Sequence, residues 1–279
     1  RFIYEFFLLW SYLPLFIYLW IRWLDSRKIK YFISFILTSL VYSSIHAIVA
    51  LTLTLWIPAG IVWLGNRKFF PAIIIVSVWL IVAAWWWYPL ISIKDSAFNQ
   101  YLDTSKNLVS LINVSKYYPN SEIFFLKQKY YFSKEANWFR YYNSRPLIYV
   151  SWIEFALLTT GIIFSIKKTN GKLILLWLII AWFLVKGANP PLGVEFYGWM
   201  FKTFPLSQVL RNTYEKLGVM LVLPYSILVA IGLSKIPLRI IRTAIVFLIC
   251  FILLRPLWTG QVFTGYQIEV PTTYKHVNN

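Results

Sequence analysis

Apolar residues run along this chain in long, nearly uninterrupted stretches, broken at intervals by short polar segments. Cutting the chain at those breaks gives helical spans at about residues 5–22, 31–45, 47–64, 70–91, 148–166, 173–186, 216–234 and 240–257. Several approach the roughly 20 apolar residues that cross a bilayer as helix. The period-two alternation of a membrane β-barrel is absent from the sequence. The pattern predicts an all-α polytopic membrane protein with about eight transmembrane or partly re-entrant helices. The stretch 31–64 is too long for one span and short for two. Its interruption Ser43-Ser44-Ile45-His46 favours two short arms meeting in a turn over one tilted helix. The run 173–185 is also short, about 20 Å at the helical rise. Short spans beside Gly/Pro-interrupted polar sequence often flank binding sites, since irregular backbone at membrane depth needs a cavity or protein partners.

The same breaks divide the chain into N-terminal transmembrane helices (1–92), an extracytoplasmic loop or cap (93–147), C-terminal transmembrane helices with an outer segment 187–215 (148–257), and the start of an extracytoplasmic tail (258–279). The loop 93–147 is rich in Tyr, Asn, Ser and Lys. It is expected to form a partly helical cap whose aromatics serve as an interfacial belt or as a sugar-stacking surface.

Composition supports the membrane class. Of 279 residues, 59% are hydrophobic and only 13% charged, far below the charge that a soluble surface carries. The net charge of +17 raises nucleic acid as a partner, but its distribution argues for topology instead. Basic residues cluster in short connections: Arg22, Arg27, Lys28 and Lys30; Arg67 and Lys68; Lys167, Lys168 and Lys172; Lys235, Arg239 and Arg242. Short basic loops mark the cytoplasmic side. The turn near His46, the loop 93–147 and the segment 187–215 then face outward, as does the tail. The predicted location is the cytoplasmic membrane, multi-pass, with the site outside and no nucleic acid bound.

Soluble-enzyme motifs are missing: no Gly-rich phosphate loop, no paired Cys or His ligand spacing, no GxSxG elbow. With His46 and His276 the only histidines, a multi-histidine metal centre cannot form. A carboxylate-bound divalent metal stays open, and no other cofactor is indicated. His46 reads as a packing or interfacial residue, with a site role as the minor alternative. Cys250 stands alone, which excludes an internal disulfide.

The segment Gly187–Gly218 stands out because it sets Glu195, Lys202, Arg211, Glu215 and Lys216 between two apolar runs. Its parts FLVKGANPPL (183–192) and FPLSQVLRNTYEKLG (204–218), with the apolar helix that follows, resemble the late membrane segments of the actinobacterial α-(1→3)-arabinofuranosyltransferases and the related YfhO-like proteins. The tail stretch 268–274 and the Ser/His tip at 43–46 resemble the same group. The resemblance covers about half the chain, mainly 148–274. It implies a GT-C-type glycosyltransferase that uses a polyprenyl-phosphate sugar donor, acts on a glycan acceptor at the outer face, and takes its base from a first outer loop. That loop is expected to precede Arg1, so the chain reads as a fragment of such an enzyme.

A polyprenyl-phosphate donor places an anionic phosphate at the outer interface, where an Arg can bind its oxygens bidentately. Arg211 and Lys216 precede a transmembrane helix whose N-terminal dipole adds to the attraction. They are the phosphate-binding candidates, with Lys186 as a third. All three also read as interfacial snorkelling cations. If helix has begun by Arg211, Glu215 sits at i+4 and can pair with it. Glu215, Asp95 and Asp103 are the candidate bases. Asn189 is a further candidate, although Asn189-Pro190-Pro191 reads chiefly as a helix stop. Two other classes remain: a lipid-linked-saccharide transporter or flippase, for which Glu5 and Glu154 give a thin intramembrane signal, and a non-catalytic membrane scaffold subunit.

Overall fold

The computed structural model describes residues 2–43, 69–85, 88–89, 102–126, 145–255 and 259. Every regular element among them is helical. In chain order these are α1 (Phe2–Ser26), α2 (Ile29–Ser43), α3 (Phe69–Val82), α4 (Thr104–Ser115), α5 (Asn120–Phe124), α6 (Arg145–Ser165), α7 (Thr169–Val185), α8 (Gly193–Thr203), a 3-10 turn (Pro205–Leu210), α9 (Thr213–Ser234) and α10 (Arg239–Leu253). Each predicted span coincides, in its described part, with one of these helices, except 47–64, which lies outside the described residues together with His46 and the one-or-two-arm question.

Among the described residues two helices are long and apolar enough to cross a membrane, Arg145–Ser165 and Lys216–Ser234; Ile29–Leu40 and Thr169–Val185 are shorter apolar helices. Many of their outward residues are large and exposed, among them Trp152, Ile163 and Ile179. A surface that apolar suits lipid rather than water.

α6 and α9 make the most extensive helix pair. Small residues explain how closely they approach. A Cβ built on Gly161 would lie 1.9 Å from the Leu228 carbonyl oxygen, and one on Gly232 would lie 2.0 Å from that of Leu157. Backbone therefore meets backbone, the arrangement that small residues permit between helices in lipid. Lys235, past the end of α9, stacks 4.6 Å from the Phe164 ring near the end of α6, so the two helices run parallel. α7 runs back between their ends, and the hydroxyl of Thr213 at the start of α9 donates to the carbonyl of Val185 at the end of α7.

This arrangement gives the bundle two ends. The α6–α7 turn with Lys167 and Lys168 shares one end with Lys235 and the start of α10. The opposite end carries a cap made of α4, α5, α8 and the 3-10 turn, with α4 packed on α8 and on the turn. The described part of 93–147 is thus helical and lies directly on the segment 187–215. α8 is amphipathic, burying Gly193, Tyr197 and Phe201 at i, i+4 and i+8. Tyr197 donates its hydroxyl to the Leu184 carbonyl at 2.6 Å, which ties the cap to the top of α7. α1, α2 and α3 form a second packing unit around Phe16, Phe35 and Trp79, continuous with the same apolar core.

Candidate functional site

Polar side chains of the cap converge where α4 meets the segment 186–213. On α4, Asn107, Leu111 and Ser115 form the buried stripe, so two polar residues occupy positions that a helix normally gives to apolar ones. Each has a partner. The Asn107 amide donates to Gln208 Oε1 at 2.6 Å, and Gln208 Nε2 donates to Thr104 Oγ1 at 3.0 Å and to the Phe201 carbonyl at 3.2 Å. Arg211 completes the row, its Nη1 donating to Asn107 Oδ1 at 3.0 Å. Ser115 Oγ accepts the Ala188 amide at 2.9 Å. A buried polar network satisfied in this way fixes α4 in one register against the 3-10 turn.

Asn189 and Lys186 build the turn that leaves α7. The Asn189 amide nitrogen lies within hydrogen-bond distance of the carbonyls of Ser115, Tyr118 and Lys186, at 2.9–3.1 Å. Its role is to join two chain segments, beyond the helix stop expected from the prolines; the Pro190–Pro191 peptide is cis. Lys186 is fully buried. Its ammonium donates to the carbonyls of Asn189, at 2.6 Å, and Pro191, with the Phe183 ring 4.8 Å away. It neither snorkels nor reaches an outside phosphate, because its donors close the turn. Gly187 at the centre of that turn has φ +60°, and a Cβ there would come within 2.6 Å of Ser115 Oγ and 2.7 Å of Thr213 Oγ1. Only glycine combines that backbone angle with that closeness.

The remaining candidates separate. Lys216 is half-buried and donates to the Val209 carbonyl, holding the 3-10 turn against α9. Arg211 is exposed. One donor of its five-donor guanidinium goes to Asn107 and the rest of the fork stays at the surface. It stands just before α9, whose N-cap residue Asn212 makes no side-chain cap bond and whose Asn212 Oδ1 is buried without a partner. Asn212 therefore offers no cap bond to the first-turn amides of α9 beside Arg211, and an N-terminus without its cap attracts anions.

Glu215 lies in the first turn of α9, with its side chain outside the described residues. Arg211 itself is not helical with it: Asn212 at φ −122°, ψ 80° separates the 3-10 turn from α9, so the i, i+4 condition for their pairing is not met. Asp103 is the N-cap of α4. It accepts from Ser105 Oγ at 2.7 Å and the Lys106 amide at 3.1 Å, with the Lys106 ammonium at 3.2 Å. These bonds, the Ser105 hydroxyl foremost, hold its carboxyl down at about 2. So weak a base is poorly matched to deprotonating a hydroxyl near neutral pH. Asp95 lies outside the described residues. Among the described residues no group of three His, Cys, Asp or Glu is placed to hold a metal ion.

No protein-family model matches this chain, and it has no match among curated proteins or solved structures.

The residues that sequence reasoning missed are Thr104, Asn107, Ser115 and Gln208. Their signal was the polar residue at a buried helical position, legible in Asn107-Leu111-Ser115 once the helix over 104–115 is drawn. Gln208, in a six-residue 3-10 turn, carried no periodic signal at all.

Proposed function

We propose that the chain is the membrane core, or part of the core, of a multi-pass GT-C-like glycosyltransferase. It takes sugar from a polyprenyl-phosphate donor at the cap end, which faces outward, and passes it to a cell-envelope glycan or glycolipid. The observation that carries this reading is Arg211: an exposed guanidinium, oriented by buried Asn107, beside an uncapped helix N-terminus at the top of apolar helices. A phosphate with a lipid tail matches that combination, since the head meets cationic donors while the tail lies along apolar surface. The family resemblance over 183–218 supports the same ligand. In this reading Lys186 and Lys216 shape the ledge and Arg211 binds; Glu215 and Asp95 remain the candidate bases, and any divalent metal would be recruited with the donor.

The test uses full-length protein in detergent micelles with undecaprenyl phosphate as the probe. Retention measured by native mass spectrometry should fall about tenfold to a hundredfold in Arg211→Ala, the range for losing charge-assisted hydrogen bonds. Unchanged retention would sink the phosphate assignment. A second reading, a non-catalytic membrane subunit, is favoured by Asp103 serving as a helix cap. It predicts lipid-phosphate binding with no sugar transfer in any reconstitution.

A further inference from the structure

The basic end of the bundle holds a groove of about 430 Å³ between the end of α9 and the start of α10. Ala230, Leu233 and Ser234 form one wall; Arg239, Arg242, Thr243, Val246 and Phe247 form the other. No acidic side chain among the described residues lines it. On α10 these residues fall at i, i+3, i+4, i+7 and i+8, a single helical face. That face is graded: two guanidinium groups and a hydroxyl occupy its first turn, and apolar side chains follow deeper along the helix. Arg242 Nε is buried and has no hydrogen-bond partner among the described residues. A buried N–H left without an acceptor carries a penalty of its own, which an entering acceptor would relieve. The N-cap residue of α10 is Leu238, which offers no side-chain acceptor to the first-turn amides. Nearby Lys235 is turned away onto the Phe164 ring, so the two arginines define the charge of the groove. α10 has no buried residue, and Ile240, Phe247 and Phe251 are each at least 70% exposed, so its surface is open to lipid.

We infer that this groove binds the headgroup of an anionic phospholipid, with the phosphodiester between Arg239 and Arg242 and an acyl chain along Val246 and Phe247. The order of chemistry along α10 matches the order along a phospholipid. Two arginines fit the non-bridging phosphate oxygens, and basic pockets between membrane helices take such headgroups. A volume of this size lies within the roughly 300–1,000 Å³ typical of small-ligand sites. The inference rests on the membrane placement of α6 and α9 and is independent of sugar transfer.

Full-length protein is equilibrated with phosphatidylcholine vesicles with or without phosphatidylglycerol. Flotation reports membrane association, and native mass spectrometry reports the lipid retained after extraction. The wild type is expected to float and to retain phosphatidylglycerol over phosphatidylcholine. The double variant Arg239→Ala/Arg242→Ala should still float and lose that preference roughly tenfold or more, from the attraction of two cations. Ala230→Trp fills the groove with charge unchanged and should lower retention comparably. Equal preference in the double variant, or undiminished retention in Ala230→Trp, overturns the groove as the site, the latter pointing to diffuse surface charge. Wild-type protein that fails to float overturns the membrane placement as well, whereas wild type that floats but shows no preference for phosphatidylglycerol strikes the groove alone.

Discussion

At the cap end of the bundle, Lys186 and Lys216 turn their ammonium groups inward onto backbone carbonyls. At the opposite end Arg239 and Arg242 line an open groove, and Arg242 Nε has no acceptor among the described residues. The chain has used one kind of residue in two ways. A lysine at the cap acts as a clamp, its ammonium given to the backbone carbonyls of the turn. An arginine at the basic end keeps donors available toward the groove. Arg211 belongs to the second kind although it sits among the first: a single bond to Asn107 aims it and the rest of the fork remains at the surface.

That contrast can be tested on stability before any ligand is added. Lys186→Met removes both bonds to the turn and leaves the half-buried Asn189 carbonyl and the Pro191 carbonyl without the Lys186 donor. Two lost hydrogen bonds cost about 0.5–1.5 kcal/mol each, and the cavity left by the buried stem adds to it, so thermal unfolding in detergent should show the largest drop of the series. Gly187→Ala should follow, with about 1–3 kcal/mol from a side chain forced into a left-handed angle, and the contact with Ser115 and Thr213 adding to it. Asn107→Leu should cost about 1–2 kcal/mol by orphaning Gln208, and should also free Arg211 to wander, so undecaprenyl phosphate retention falls with it. The pair Arg239→Ala/Arg242→Ala, in lipid-free detergent, should shift stability by no more than about 0.5 kcal/mol. A large loss there would show that those arginines are structural after all and erase the distinction between the two ends.

The smallest effect concerns pH. Asp103 has its folded pKa lowered from 3.8 to about 2, so its capping contribution is fully present above about pH 4. It is lost as pH falls through about 2. Amide hydrogen exchange at Lys106 should accelerate across that window in the wild type. In Asp103→Asn, which keeps an acceptor at the N-cap without a carboxyl to titrate, the acceleration should be absent.

The helices were legible because their physics is one-dimensional. Apolar runs of 15–25 residues mark α1, α6, α7 and α9 without reference to anything distant. The cap was legible only as a polar interruption. Its structure depends on pairs about 70–104 residues apart, such as Ser115 with Ala188 and Asn107 with Gln208, which no local pattern encodes. For the same reason the site list divided. Arg211 was visible as a cation before a helix, and its environment agrees with that. Lys186 looked identical in sequence, and only the three-dimensional turn shows both its carbonyl partners. The helix break at Asn212 also escaped notice, because Leu-Arg-Asn-Thr is acceptable helix by propensity while the backbone angle there is set by the packing of the turn.

The glycine contact between α6 and α9 divides α9 very unequally. Gly161 and Gly232 press backbone on backbone about 25 Å from the start of α9 and within roughly one turn of its end. Such a contact resists translation in either direction, and it fixes where the two helices meet most closely. The short arm ends at Ser234 in the basic groove, and the long arm ends at Thr213, next to Arg211. Each 5° of tilt would carry the long arm's tip through about 2 Å, by simple leverage over that rise. Because Thr213 is bonded to Val185, the tip of the long arm is tied to the top of α7.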